Sequence, residues 1–192
     1  MAIKNQITFE GLTYNLDDRD RVAAEAAREH MTDSFVKYKT DTATSDYSAL
    51  GPGNWTILVN AAMVNASYIR LPEATTANAG SHIKVVFGLA PAALMHVGFV
   101  TSKIVGGAST IGAATEGNAP TDAAMVSSAV GTANLRLDLD VNVAGKAAGH
   151  PGTVLDFFYP GVSNVVLFSG NMHSDVDDAT LANLFSTTAV NA

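Results

Sequence analysis

Between Trp55 and Phe168 the chain repeatedly takes the same local form, a short run of β-branched, aromatic or leucine side chains ended by turn-forming residues. Residues 55–59 (WTILV), 68–71 (YIRL), 82–87 (HIKVVF), 97–100 (VGFV), 154–159 (VLDFFY) and 164–168 (NVVLF) are of this kind. Short strands with turn signals between them are the pattern of a β-sandwich or barrel. The clearest run is Leu135-Arg136-Leu137-Asp138-Leu139-Asp140-Val141, whose unbroken alternation turns the leucines to one face and Arg136, Asp138 and Asp140 to the other. The last two runs read as a hairpin across Pro160 and Gly161. The fold class expected is mainly β, with a β-sandwich or jelly-roll-like body. Residues 106–131, rich in Gly, Ala and Thr, show little strand character and read as a long loop of the sort that is functional or packed on a partner. No internal repeat of fixed period is visible.

The N-terminal quarter differs. Two alternating runs, Ile7-Thr8-Phe9-Glu10 and Leu12-Thr13-Tyr14, pivot on Gly11 and read as strand or extended arm. Residues 17–30 then carry strong helix formers without Gly or Pro, with Asp17 or Asp18 as cap and an acidic first turn suited to the helix dipole. The apolar stripe of this one short α-helix (Val22, Ala23, Ala26, Ala27, Met31) is narrow, so the helix should lie on something. A second short helix is expected over 175–185. The polar stretch 40–48, followed by Leu50-Gly51-Pro52-Gly53, is the best linker candidate, which divides the chain into an arm and helix over 1–48 and a β-rich body over 49–192.

Charge supports that division. The 192 residues carry 11 Lys+Arg and 18 Asp+Glu, a net charge of −7, and the first 48 residues hold 6 of the basic and 9 of the acidic groups. With no basic excess or Lys/Arg run, nucleic acid and polybasic membrane docking are excluded as partners. The apolar residues, 47% of the chain, include many alanines that bury little area each, which suggests a thin core completed by neighbouring subunits. The absence of Cys removes disulfides, zinc ribbons and thiol nucleophiles. Residues 1–7 lack the apolar core of a signal peptide, and the longest apolar stretch, 89–100, is broken by Pro91 and His96 and is shorter than the roughly 20 residues a spanning helix needs. A soluble protein made without Sec-type export is expected.

Chemistry is sparse. His173-Ser174-Asp175 has the letters of a hydrolytic triad, but adjacent residues cannot present three side chains in line. The glycine spacing of Gly107 and Gly112 is that of a phosphate loop, with Ala113 and Ala114 where Lys and Ser/Thr must stand. Asp175, Asp177 and Asp178 resemble only the start of a calcium loop and are read as caps. Asp138 and Asp140, roughly 6.5–7 Å apart on one strand face, approach the separation of glycosidase carboxylates. A solvated face balanced by Arg136 is the preferred account of them. His30, His82, His96, His150 and His173 show no metal-ligand spacing, and Asn54-Trp55-Thr56 and Asn65-Ala66-Ser67 match sequons that a chain outside the secretory route would not use. Trp55, the sole tryptophan, is read as a core or subunit contact rather than a sugar platform. No catalytic, cofactor-binding or metal residues are assigned, no cofactor is expected, and the chain is not read as an enzyme.

Two segments point to a family. Leu71-Pro72-Glu73-Ala74-Thr75-Thr76-Ala77-Asn78-Ala79-Gly80 with the strand after it, and Ala147-Ala148-Gly149-His150-Pro151-Gly152-Thr153 with its aromatic strand 156–159, resemble small virion structural proteins of tailed phages, particularly those of marine and cyanobacterial hosts. With Trp55 the resemblance spans about residues 53–170 and leaves out the arm and helix. It implies a β-rich subunit that forms homo-oligomers, often trimers, on the capsid exterior or in the tail, without catalytic residues. The function expected is that of a capsid decoration (cement) protein, with itself and the major capsid protein as partners, located in the virion after assembly in the host cytoplasm. The alternatives are a tail or head fibre module that contacts the host surface, or a carbohydrate-binding module.

Overall fold

The computed structural model describes residues 6–9, 12–15, 34–39, 45–61, 66–112, 125–128, 131–140, 149–174 and 184–190. The chain forms two compact units, Met1–Asp33 and Ser34–Ala192. In the first, β1 (Gln6–Phe9) and β2 (Leu12–Asn15) pair antiparallel, with Gln6 opposite Asn15 and Phe9 opposite Leu12. The described part of the expected extended arm is therefore a hairpin, because two alternating runs separated by two residues satisfy each other's backbone groups. The helix expected over 17–30 lies outside the described residues.

The second unit begins with β3 (Ser34–Lys39) and β4 (Ser45–Asp46) and continues through β5 (Asn54–Val59), β6 (Ser67–Arg70), β7 (His82–Phe87) and β8 (Met95–Gly98). These six strands alternate between two sheets. Strands β3, β5 and β7 lie side by side and parallel in one sheet, and β4, β6 and β8 do so in the other. The chain thus coils, laying one strand in each sheet per circuit. Asn54 pairs with His82 and Ser67 with Met95, so that circuit is 28 residues long in both sheets (82 − 54 and 95 − 67). In the circuit before it Ser34 pairs with Asn54 and Ser45 with Ile69, offsets of 20 and 24, so no fixed period exists for the sequence to display.

The remaining strands complete both sheets. They are β9 (Lys103–Gly112), β10 (Met125–Ser127), β11 (Arg136–Leu139), β12 (Val154–Phe158), β13 (Val165–Ser174) and β14 (Phe185–Ser186). The larger sheet runs β10-β9-β13-β12-β7-β5-β3 and the smaller β14-β11-β8-β6-β4. Both are mixed, which separates them from the all-antiparallel strand order of a jelly roll, while the mainly β, sandwich-like body is as expected. The β12–β13 hairpin read from the sequence is present, with Phe158 opposite Leu167.

The core lies between the sheets. Ile57, Ile83, Val85, Leu155 and Phe157 of the larger sheet and Ile69, Met95, Val97, Leu137 and Leu139 of the smaller are all buried. Phe99 meets Phe157 and Tyr159 edge-on at centroid distances of 5.9 and 6.4 Å, and Phe185 of β14 meets Phe168 of β13 at 5.9 Å and 85°, which joins the sheets through aromatic contacts.

Four expectations change. Among the described residues the buried apolar side chains are almost all Ile, Val, Leu, Phe and Met, with Ala74 and Ala108 the two alanines, so this core is not thin. The alanines fall largely elsewhere in the chain. The boundary expected near residue 48 falls inside the second unit, because β3 and β4 are strands of its two sheets. Phe185, placed at the end of a tail helix, is in a strand, and residues 175–183 of that helix lie outside the described residues. Finally, the long loop read over 106–131 is in part sheet: β9 runs to Gly112, pairs in parallel with all ten residues of β13, and takes β10 on its other side. Small residues are needed there. A Cβ on Gly106, whose φ is +148°, would stand 1.9 Å from the Phe168 carbonyl oxygen, so tertiary pairing overrides weak strand propensity.

Candidate functional site

The outward face of the smaller sheet carries the Asp138 that the alternation had singled out, but its surroundings are not solvent. Cross-strand register sets Asp138 of β11 opposite His96 of β8. The carboxylate Oδ1 lies 2.7 Å from His96 Nδ1 and accepts a 2.7 Å hydrogen bond from Arg136 Nε, two residues earlier on the same strand face. Arg136 also donates to the Ala189 carbonyl oxygen, and the Asp138 backbone N–H donates to Leu184, so the C-terminal stretch is tied to this cluster. Asp138 is 5% exposed. Burial pushes its carboxyl upward, yet the hydrogen bonds and charges of His96 and Arg136 outweigh that and hold it below the ordinary carboxylate range. This corrects the solvated face: alternation assigns a side chain to a face and does not say what later covers it. Asp140 lies just past the end of β11 and is half-buried. The imidazole is oriented by a carboxylate as in a hydrolase, but among the described residues no hydroxyl hydrogen-bonds it.

A second carboxylate held by several donors, half-buried, belongs to the first resembling segment. Glu73 accepts from three successive backbone N–H groups, with Val100 and Ser102 at 2.7 Å and Thr101 at 3.2 Å, and from the hydroxyls of Thr101 (2.8 Å) and Ser102 (2.6 Å). Burial raises its carboxyl, and these donors outweigh burial and hold it below its ordinary value. Beside it the Tyr159 hydroxyl donates to the Pro72 carbonyl, and burial, with the nearby Glu73 charge, pushes that phenol well above its usual range. The arrangement pins the β8–β9 turn to the segment after β6. With its donors already committed to the protein, it is a structural clasp.

The outward face of the larger sheet is open. Its β5, β7 and β12 strands form a hollow of about 460 Å³ lined by Asn54, Trp55, Thr56, His82, Lys84 and Asp156. Asp156 Oδ1 lies 3.3 Å from His82 Nδ1 and Oδ2 lies 3.8 Å from Lys84 Nζ. The His82 ring leans on Phe158 at a centroid distance of 4.7 Å. Register continues that row across the sheet, from Phe158 to Leu167 to Val105. Leu167 and Val105 are 41% and 48% exposed, and Val162, in the β12–β13 connection, is 55% exposed.

The other singled-out residues are dispersed. Gly107 and Gly112 lie inside β9, so the stretch between them is strand rather than phosphate loop. The His173 backbone N–H donates to Thr153 Oγ1, and the His150 N–H donates to the His173 carbonyl. His30, Asn65, Asp175, Asp177 and Asp178 lie outside the described residues. Trp55 packs partly against the core and donates its indole N–H to Gly51. The His96 and His82 partnerships were missed because they join residues 42 and 74 apart in the chain. Only strand register reveals them. Among the described residues no group of three or more His, Asp or Glu could hold a metal ion, and no helix is long and apolar enough to cross a membrane. No protein-family model, curated protein or solved structure matches this chain.

Proposed function

We propose that this chain is a virion structural subunit, a decoration or cement protein that binds the outside of a phage head as a homo-oligomer. The resemblance of residues 53–170 supports this, and the observation that carries it is the apolar row on the larger sheet. Phe158, Leu167 and Val105 stand side by side on three neighbouring strands, with Leu167 and Val105 open to solvent and Val162 exposed close by in sequence. A contiguous exposed apolar patch on a body with a filled core marks a contact with another protein. Among the described residues the core side chains are buried by the chain itself, so association adds interface to this core rather than supplying it. The action is mechanical: each bound subunit adds interfacial free energy to the shell state it binds, and linked subunits add avidity.

Counting copies per particle and locating them in an image reconstruction is the test. Many copies at regular positions on the shell are expected, with a trimer in solution by light scattering; a dozen or fewer copies would overturn the reading. Leu167→Asp should shift the oligomer toward monomer without unfolding it.

A further inference from the structure

An apolar row on one copy needs a counterpart on the next. We infer that the Val105–Leu167 row seats in a second hollow, at the same end of a neighbouring copy, so that copies join head to tail; this rests on the assembly proposed above for one premise, that the row is a contact between copies. The hollow has a volume of about 420 Å³ and is walled by Leu50, Pro52, Pro72 and Ala77. Pro52 and Ala77 are exposed and Leu50 is half-buried. These residues stand just before β5 and β7, whose first residues, Asn54 and His82, belong to the same register row as Phe158, Leu167 and Val105.

Three observations select this pairing. First, the hollow offers apolar wall more than hydrogen bonds. Its Asn78 Oδ1 accepts from the Thr75 N–H at 2.9 Å, Asn78 Nδ2 donates to the Glu73 carbonyl, Ser48 donates to Asp46, and the Glu73 carboxylate is held by residues 100–102. Aliphatic side chains raised on a sheet face suit such a depression better than they suit a second raised row. Second, row and hollow adjoin along one element, the β12–β13 connection that carries exposed Val162. On its inner side the Asn164 N–H donates to the Ala74 carbonyl, the Gly80 N–H donates to the Tyr159 carbonyl, and a Cβ on Gly161 would stand 2.9 Å from that of Ala79. Two different contact surfaces meeting at one edge are those of a wedge in a closed ring, whereas a row against its own copy stops at a pair. Third, the charges complement each other. Exposed Lys103 lies two residues from Val105 on the same face of β9. The hollow carries Arg70 and Glu73, with Asp46 3.5 Å from Arg70, a balance of one positive against two negative groups.

Mixing two variants of the full chain tests the pairing. Leu167→Asp breaks the row and leaves the hollow; Ala77→Arg fills the hollow and leaves the row. Ala77 is exposed on a 3-10 turn, Thr76–Asn78, that buries no side chain, and a urea midpoint close to the parent's establishes that the variant is folded. Sedimentation velocity at about 50 μM, which detects micromolar contacts, should find the parent as a trimer and each variant alone as a monomer. An equimolar mixture should contain a dimer of one copy of each, joined by the one intact row and the one intact hollow, and no trimer. Lys103→Glu should weaken the parent contact about fivefold or more, as an attractive exposed pair becomes a repulsive one. A trimer that dissolves in Leu167→Asp but survives Ala77→Arg, or a mixture no heavier than its parts, would overturn the head-to-tail pairing alone. A trimer that survives Leu167→Asp would strike the row as a contact, and with it the observation behind the proposed assembly.

Discussion

The two outward sheet faces carry similar trios of side chains, a carboxylate with a histidine on the neighbouring strand and a cation nearby, to opposite effect. On the smaller sheet, Asp138 has His96 and Arg136 both at 2.7 Å, and their side chains are 8%, 18% and 16% exposed. On the larger sheet, Asp156 has His82 at 3.3 Å and Lys84 at 3.8 Å, with side chains 28%, 44% and 52% exposed. Burial decides the role. In the first cluster the side chains are largely withdrawn from water, the short contacts replace most of their hydration, and the groups depend on one another. In the second, water remains a competitor and the contacts are loose. Arginine in the tight cluster and lysine in the open one fit this division, since a planar guanidinium keeps fixed hydrogen bonds where an ammonium on a flexible stem does not.

The largest expected difference comes from removing one partner of each trio. Arg136→Met leaves the buried Asp138 carboxylate without its cation and should cost about 3–5 kcal/mol in urea unfolding. Lys84→Met, which breaks an exposed pair, should change stability by no more than about 0.5 kcal/mol. Equal losses would remove the distinction between the faces. Acid should act next. Asp138 and Glu73 are both held below their ordinary values, so their folded carboxyls bind protons less readily than the unfolded ones. Their contribution is full above the ordinary carboxylate range, near pH 4–5, and is lost as pH falls through that range toward the lowered folded values. Urea midpoints measured from pH 7 down to pH 3 should therefore fall. In Glu73→Gln the midpoint should be lower at pH 7 and should decline less steeply; an unchanged slope would mean that the clasp on Val100, Thr101 and Ser102 is not what acid releases.

What the sequence discloses follows from how local each feature is. Alternation in 82–87 and 154–158 is local, and those strands lie where it placed them, as does the hairpin across Pro160. The extension of β9 past residue 105 was hidden because Gly106, Gly107 and Ala108 have little strand propensity. The strand continues there because β13 offers a parallel partner that approaches Gly106 too closely for a side chain, and β10 pairs antiparallel on its other side. The coil was hidden because its circuits differ in length. At Asp138 the sequence disclosed the residue, its Arg136 neighbour and their shared face. It could not disclose His96, brought opposite by register, or the C-terminal stretch, whose Ala189 carbonyl accepts from Arg136. The hollow on β5, β7 and β12 was not legible, because His82, Lys84 and Asp156 come from strands whose neighbourhood is set by the whole sheet, while Trp55 was read as a core contact and packs partly against the core.

The two histidines give the smallest and sharpest contrast. His96→Gln keeps a side chain of similar reach but alters the donor that faces Asp138 at 2.7 Å in a site with little water. It should cost about 1–2 kcal/mol, the range for a hydrogen bond to a charged group. His82→Gln loosens a 3.3 Å contact at a side chain 44% exposed, where water can take the place of the ring nitrogen. The packing of the imidazole on Phe158 is the main loss there, so the change should stay within about 0.5 kcal/mol. Double-mutant cycles, His96→Gln with Asp138→Asn and His82→Gln with Asp156→Asn, separate the pairwise coupling from each residue's other contacts. Coupling should be measurable in the first cycle and near zero in the second. If the open pair coupled as strongly as the buried one, exposure would not be what separates the two faces.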